Sequence, residues 1–212
     1  MSKTEKNPLQ GKTSVTTERG LERSREIMEA AHEIFVRDGF GRFSVRSVAS
    51  QVGVSLSNVQ HYYPTKAILF EAMLLYTIGR FQTAIDEIVR DMQDAARLDQ
   101  FMAAMNMFLA EVKNPLAAGN LIQIWAAALV DPLAAAVASK IQKRERKTIY
   151  QLIRGITPEF SENECQARAA LIVAQIEGLI LQHAGGRAVP TLANGSLDEI
   201  ARQSFRWLAT RT

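Results

Sequence analysis

An all-α fold follows from three features of this 212-residue chain. Apolar residues recur at helical spacing through nearly everything after residue 18, and helix-capping residues punctuate those stretches. No run shows the polar/apolar alternation that a half-buried strand requires. The reading is an all-α protein of about nine helices without internal repeats, in which an N-terminal module of three short helices precedes a larger helical domain.

The elements follow in order. Between Leu21 and Asp38, residues Ile27, Ala31, Ile34 and Phe35 fall at i, i+4, i+7 and i+8, one stripe of a helix that Gly39 can close in a left-handed cap. Ser44 offers the N-cap of a second helix, whose Val45, Val48, Ala49 and Val52 repeat at i, i+3, i+4 and i+7. Gly53 breaks that helix, Ser55 caps a third to about His61, and Pro64 ends it because the residue before a proline is pushed out of helical geometry. Thr65 caps a long fourth helix reaching Asp91, with Ile68, Leu69, Ala72, Leu75, Tyr76 and Gly79 on its expected inner side.

Later boundaries are marked by cap chemistry. Asn114-Pro115 and Asp131-Pro132 each place a capping side chain before a proline at the first helical position, where the missing N–H costs nothing. Ser161 to Glu164 and Ser196 to Glu199 have capping-box spacing. Further helices are therefore expected near 98–112, 115–130, 132–154, 162–184 and 197–209.

Hydrophobic residues make up 47% of the chain and aromatics 7%, enough to build a core. Cys165 is the only cysteine, so no internal disulfide can form and the chain suits a reducing compartment. No apolar run approaches the ~20 residues needed to cross a bilayer, and residues 1–20 lack the apolar stretch of a secretory signal. A cytoplasmic protein without membrane attachment is expected.

Charge gives the first indication of function. Residues 39–66 contain no acid: Asp38 is the last before them and Glu71 the first after, in a chain with 22 Asp plus Glu. Residues 1–66 hold ten Lys plus Arg and seven Asp plus Glu, whereas residues 67–212 hold 15 of each, so the net charge of +3 lies wholly in the first third. A surface without carboxylates that keeps Arg42, Arg46 and Lys66 suits a phosphate backbone, although charge alone also fits a solvated basic face.

The helix pattern decides between those readings. Two short helices joined by a glycine turn form a helix-turn-helix, whose second helix lies in the major groove while the first spans the backbone. Burying Val45, Val48, Ala49, Val52 and Val59 turns Leu56, Ser57, Gln60 and His61 outward, beside the cap residue Ser55. Gln can bond adenine bidentately, Ser can meet either kind of base edge, and an apolar tip can meet a thymine methyl. Tyr62, Thr65 and Lys66, with Ser44 at a helix N-terminus, suit phosphate oxygens. Tyr63 reads as core.

These residues carry a family resemblance. Val54-Ser55, Val59 and His61-Tyr62-Tyr63-Pro64-Thr65-Lys66 follow Phe43-Ser44-Val45-Arg46, Val48-Ala49 and the Ala31 to Phe40 end of helix one. Together they resemble the tetracycline-repressor (TetR) family of bacterial regulators over about residues 20–70; beyond that, helix count and spacing match. The resemblance implies a homodimeric, DNA-binding transcriptional regulator, usually a repressor, whose C-terminal domain binds a small molecule and dimerises through its last two long helices. It also implies Tyr62 and Lys66 as backbone clamps, Ser44 and Arg46 as further phosphate contacts, and Ser57, Asn58, Gln60 and His61 as the base-edge set. The family often has glycine where Ser57 stands and tyrosine where Gln60 stands, which leaves the operator sequence open.

The division expected is a flexible basic tail at 1–17, a helix-turn-helix domain at 18–66 and a ligand-binding and dimerisation domain at 67–212. The tail carries Lys3, Lys6 and Lys12, and either tracks the DNA or only solubilises the chain. In the last domain Phe101, Met102, Met105, Phe108 and Trp125 are the candidate pocket lining, with plain core as the competing reading. Ile172, Gln175, Ile176, Gly178 and Leu179 of the eighth helix, with Phe205, Trp207 and Leu208 of the last, are the candidate dimer interface, chiefly through the resemblance. Residues 170–182 bear a slight resemblance to the choline-responsive betaine regulators of the same family, which leaves the effector unnamed.

An enzyme finds little support. His32, His61 and His183 lie on three different predicted helices, and no nucleophile elbow, phosphate loop or metal-ligand spacing occurs. Catalytic residues, metal and cofactor are accordingly none, apart from an expected small-molecule effector. Cys165 reads as structural. The alternatives kept open are a ligand-independent or corepressor-dependent regulator and a helical small-molecule-binding enzyme.

Overall fold

The structure, a computed structural model, describes residues 18–184 and 196–211, with the backbone alone at 115–118. Among the described residues there are nine helices: α1 (Glu18–Arg42), α2 (Val45–Val52), α3 (Leu56–Tyr62), α4 (Lys66–Asp91), α5 (Arg97–Glu111), α6 (Pro115–Val130), α7 (Pro132–Ile153), α8 (Glu162–His183) and α9 (Leu197–Thr210). None of them is long and apolar enough to cross a membrane. The tail expected at 1–17 lies outside the described residues.

Two compact units divide the chain, Met1–Phe81 with Gln123–Val137, and Gln82–Ile122 with Ala138–Thr212. The division therefore falls within α4 rather than before it, and it assigns parts of α6 and α7 to the N-terminal unit. The first unit is organised by aromatic packing. Ile27, Met28, Ala31, Ile34 and Phe35 of α1 are buried. The Phe70 ring of α4 lies 5.3 Å from that of Phe35, 5.6 Å from Phe43 and 4.8 Å from Phe40.

That cluster alters two expectations. The α4 stripe is rotated: Leu69 and Ala72 are buried as expected, but Phe70, Met73 and Leu74 join them, while Ile68 is 39% exposed and Leu75, Tyr76 and Gly79 are half-buried. Seating Phe70 among the α1 rings turns the helix by about one residue. Gly39, expected as a left-handed cap, has φ 74° and ψ 175°, an extended positive-φ conformation that belongs to glycine, and helical turns resume beyond it to Arg42. It is a sharp kink rather than a terminus.

The second unit buries Phe101, Ala104, Met105 and Leu109 of α5 with Ile149, Leu152 and Ile153 of α7, the inner stripe of α8 from Cys165 to Leu179, and Ala201, Phe205 and Leu208 of α9. Arg168 donates to the Leu208 carbonyl at 2.9 Å and stacks on Phe160, while Thr157 Oγ1 donates to the Ala209 carbonyl at 3.1 Å. These bonds satisfy carbonyls at the end of α9 that the helix itself cannot. Asp131 Oδ1 accepts from the Leu133 and Ala134 amides and Ser161 forms a reciprocal capping box with Glu164, as their sequence contexts predict.

Candidate nucleic-acid interface

The interface is built from α2 and α3, and its local chemistry begins with capping. Ser44 Oγ accepts from the Ser47 amide at 3.0 Å, and Ser47 Oγ in turn accepts from the Ser44 amide at 3.0 Å. This is a capping box in which serine takes the place that Glu or Gln usually fills. The substitution matters electrostatically: the backbone donors are satisfied while the positive end of the α2 dipole carries no carboxylate.

Gly53 then adopts φ 73° and ψ 33°, the left-handed geometry of a tight C-cap, and its amide bonds back to the Ala49 and Ser50 carbonyls. Two residues later Ser55 Oγ accepts from the Asn58 amide at 3.2 Å and starts α3, whose first turn is also free of acids. Thr65 Oγ1 accepts from the Ile68 amide at 3.2 Å and starts α4. Three helix N-termini in this short stretch are thus capped by neutral hydroxyls.

Packing sets the outward face. Val48, Ala49 and Val59 are buried, whereas Val45 and Val52 are half-buried rather than fully enclosed. Ser57, Asn58, Gln60 and His61 are exposed together on α3, with Leu56 half-buried at its start. Arg46 on α2 and Thr65 before α4 are exposed as well. Ser57 Oγ lies 3.0 Å from Ser55 Oγ, and the His61 ring stands edge-on to Tyr62 at 5.3 Å.

At the end of α3 the chain is held firmly. Tyr63 is buried, and its hydroxyl lies 2.7 Å from the hydroxyl of buried Ser24 in α1. Burial pushes the Tyr63 phenol above its usual range, with Ser24 opposing that shift, so it remains neutral. Tyr62 beside it is half-buried. Lys66 donates through Nζ to the Phe40 carbonyl at 2.9 Å and sits 3.8 Å from the centre of the Phe40 ring. Its ammonium therefore ties α4 to the end of α1, a role the sequence did not indicate.

The acid that immediately precedes the acid-free stretch, Asp38, is itself paired. Arg37 holds Asp38 in two hydrogen bonds of 3.0 and 2.8 Å, and that contact, with smaller help from Arg42, lowers the Asp38 carboxyl below its usual range. Gln51 of α2 donates to Glu33 at 2.7 Å, joining α2 to α1 on the same flank. Ser47 is the residue that sequence reasoning missed here; the signal was its position three residues after Ser44.

The other candidate residues fall differently. Phe101 and Met105 are fully buried in the core of the second unit, with Met102 and Phe108 packed partly buried against it. Trp125 belongs to the first unit and is half-buried. Ile172, Ile176 and Leu179 of α8 and Phe205 and Leu208 of α9 are buried inside the protomer, as part of its own core. Gln175 is half-buried and accepts from Ser204 at 3.0 Å, and Gly178 is exposed. The outward stripe of α8 is instead Leu171, Ala174, Gly178 and Leu181, and that of α9 includes Ile200, Gln203 and Trp207. Leu171 and Trp207 are 58% and 57% exposed. Cys165 is buried.

Comparison with known proteins agrees with this architecture. The model of bacterial regulatory proteins of the tetR family matches residues 27–73, and that of the BetI-type transcriptional repressor C-terminal region matches residues 94–203. The nucleoid occlusion factor SlmA of Vibrio campbellii is 30% identical over 95 residues, 44% of this chain and 47% of its own length. The chain spans a third to a half of the length of the curated relatives it matches. A transcriptional regulator from Rhodococcus sp. shares the fold with TM-score 0.62 at 22% identity, over 87% of this chain and 92% of its own. A protein from Saccharomonospora viridis, solved in complex with choline, shares it with TM-score 0.55 at 21% identity, over 87% and 93%. With one family model on the capped helix pair and a second covering half of the chain, the protein belongs to the tetR family of bacterial regulatory proteins.

Proposed function

We propose that the chain is a cytoplasmic, sequence-specific DNA-binding repressor that holds a palindromic operator as a homodimer and releases it on binding a small molecule. The observation that carries this reading is the acid-free helix pair, capped by neutral serines, with Ser57, Asn58, Gln60 and His61 exposed along one face of α3. In this assignment α3 enters the major groove and reads base edges with Gln60, Asn58 and Ser57. Ser44, Arg46, Tyr62 and Thr65 meet phosphates, and the positive end of the α2 dipole, free of carboxylates, attracts them. Lys66 contributes its charge while anchoring the end of α1.

The dimer is assigned to the outward stripes of α8 and α9, where Leu171, Gly178, Leu181 and Trp207 offer apolar area and Gly178 permits close helix approach. A two-fold pair of heads reads half-sites ~34 to 36 Å apart when they are one turn apart. Release requires a ligand that prefers the conformation in which the heads no longer match that spacing, whatever its absolute affinity. Phe101, Met102, Met105 and Phe108 remain the candidate lining, and the choline bound to the Saccharomonospora viridis protein places small organic cations first in an effector screen.

Selection from random-sequence duplexes at moderate salt tests the reading. Enrichment of a palindrome with half-sites about one turn apart is expected; recovery of no sequence, with binding that vanishes as salt rises, overturns sequence-specific recognition.

A further inference from the structure

Helix α7 carries a charge pattern that the helix-turn-helix does not use. Its exposed residues from 139 to 154, the last just past the helix end, are Ser139, Lys140, Lys143, Arg146, Lys147, Gln151 and Arg154. Five are cations, two are neutral and polar, and none is acidic or apolar. The opposite side buries Ala138, Ile141, Ile149, Leu152 and Ile153. Lys140, Lys143, Lys147 and Arg154 lie at i, i+3, i+7 and i+14, and the Arg154 amide bonds to the Tyr150 carbonyl at 2.9 Å, so the helical register reaches it. At 1.5 Å of rise per residue the row is about 21 Å long.

Among the described residues Lys143, Lys147 and Arg154 form no ion pair with an acid, whereas Lys140 already interacts within the protein. Glu145, the acid of α7, is on the inner side, where burial and then Glu177 of α8 push its carboxyl up to about 7. Arg146 interacts with both of those carboxyls and stands to one side of the row. Glu162 of α8 accepts from the Tyr150 hydroxyl at 3.4 Å at one margin.

The composition of the face selects its partner. Protein interfaces place apolar and aromatic residues at their centre and are depleted in lysine. Helices that bind membrane surfaces add large apolar side chains to their cations. A lysine-rich row with no exposed apolar residue fits neither, and matches a repeating polyanion. We propose that the outward face of α7 is a second, sequence-independent contact for the phosphate backbone of duplex DNA, separate from the helix-turn-helix. This inference rests on the reading of the chain as a DNA-binding protein. It makes affinity depend on duplex length and salt beyond what the recognition helices account for.

The test uses the full chain and the triple variant K143Q/K147Q/R154Q; Lys140 is kept because it already interacts within the protein. Affinity for a random-sequence duplex several times longer than an operator is followed by anisotropy across a salt series. Each phosphate that the protein no longer neutralises takes about 0.9 off the slope of log affinity against log salt, so the triple variant should fall short of the wild type by about 2 to 3 for each protomer in contact with the duplex. The conservative variant K143R/K147R should keep the slope, and thermal melting of the triple variant should match the wild type. If the wild type binds DNA and the triple variant has the same slope, the inference fails while the regulator reading stands. If the wild type binds no duplex at any sequence, the regulator reading fails and takes this inference with it. Loss of binding to phosphatidylglycerol vesicles with an unchanged DNA slope overturns the proposal in favour of a membrane-surface role.

Discussion

The neutral capping box of α2 makes a prediction that separates folding from binding. Glu at the third helical position is the usual partner in such a box, so Ser47→Glu can replace the 3.0 Å bond that Ser47 Oγ now accepts from the Ser44 amide. A carboxylate in the first turn also favours the helix dipole by roughly 0.3 to 1 kcal/mol. Stability should therefore stay level or rise. Binding should move the other way: a negative charge about 6 Å from a phosphate is repelled by about 0.7 kcal/mol in bulk water and about 3 kcal/mol at an effective dielectric of 20. Each head should lose roughly threefold to hundredfold in affinity, with Ser47→Gln, neutral and able to make the same bond, close to wild type. Denaturant melts and anisotropy titrations on one duplex measure both quantities. Equal affinity for Ser47→Glu and Ser47→Gln, with both folded, would refute the placement of the α2 N-terminus against phosphate.

Four further predictions concern other parts of the chain. Tyr62→Ala should weaken binding to all duplexes, whereas Gln60→Ala should cost about 1 to 3 kcal/mol mainly against the preferred base; uniform loss for both would remove Gln60 from the base-reading set. Gly39→Ala should destabilise by about 1 to 3 kcal/mol, because φ 74° with ψ 175° is strained for any side chain and the new Cβ would lie 2.9 Å from Gln123 Oε1. Gly53→Ala, in left-handed geometry with open space around it, should cost only ~1 to 2 kcal/mol, and the reverse order in urea melts would contradict the kink. Glu145 holds its proton more tightly folded than unfolded, so its contribution is fully present below pH 4.5 and is lost as pH rises through about 7. The total is on the order of 3 kcal/mol, and Glu145→Gln should flatten the stability profile between pH 5 and 8; an unchanged profile would exclude Glu145 as its source. Leu171→Arg should convert a dimer into monomers by sedimentation without lowering the melting temperature of the monomer, and an unaltered dimer would move the interface off α8.

The legible parts of this molecule were those decided locally. Asp131-Pro132 and Ser161 with Glu164 state their helix starts because a cap needs only a side chain and the next three amides, and α6 runs from Pro115 to Val130 as the two Pro-containing pairs predict. The turn at Gly53 and the outward set on α3 were readable for the same reason. What periodicity could not state is which chain covers a buried stripe. Ile172, Ile176 and Leu179 recur at helical spacing whether their cover comes from α5 and α9 or from a second copy, and the protomer itself covers them. Rotation of α4 was hidden because it depends on Phe35 and Phe40 of α1 and on Phe43 just beyond it, distant in sequence. The bond from Lys66 to the Phe40 carbonyl was hidden too, since it spans 26 residues.

The bond between Tyr63 and Ser24 bears on what a regulatory signal can change. The last turn of α3 is fastened to α1 by that bond, its first turn is pinned by Ser55, and α1 shares its aromatic cluster with α4. These contacts couple the backbone of α3 to α1, so the helix is expected to move with the head as a unit. In the proposed dimer, an effector acting on such a block would alter the separation at which two heads can sit, while each head keeps the same vocabulary of bases. Operators selected with and without effector should then share one half-site word and differ in the spacing between its two copies.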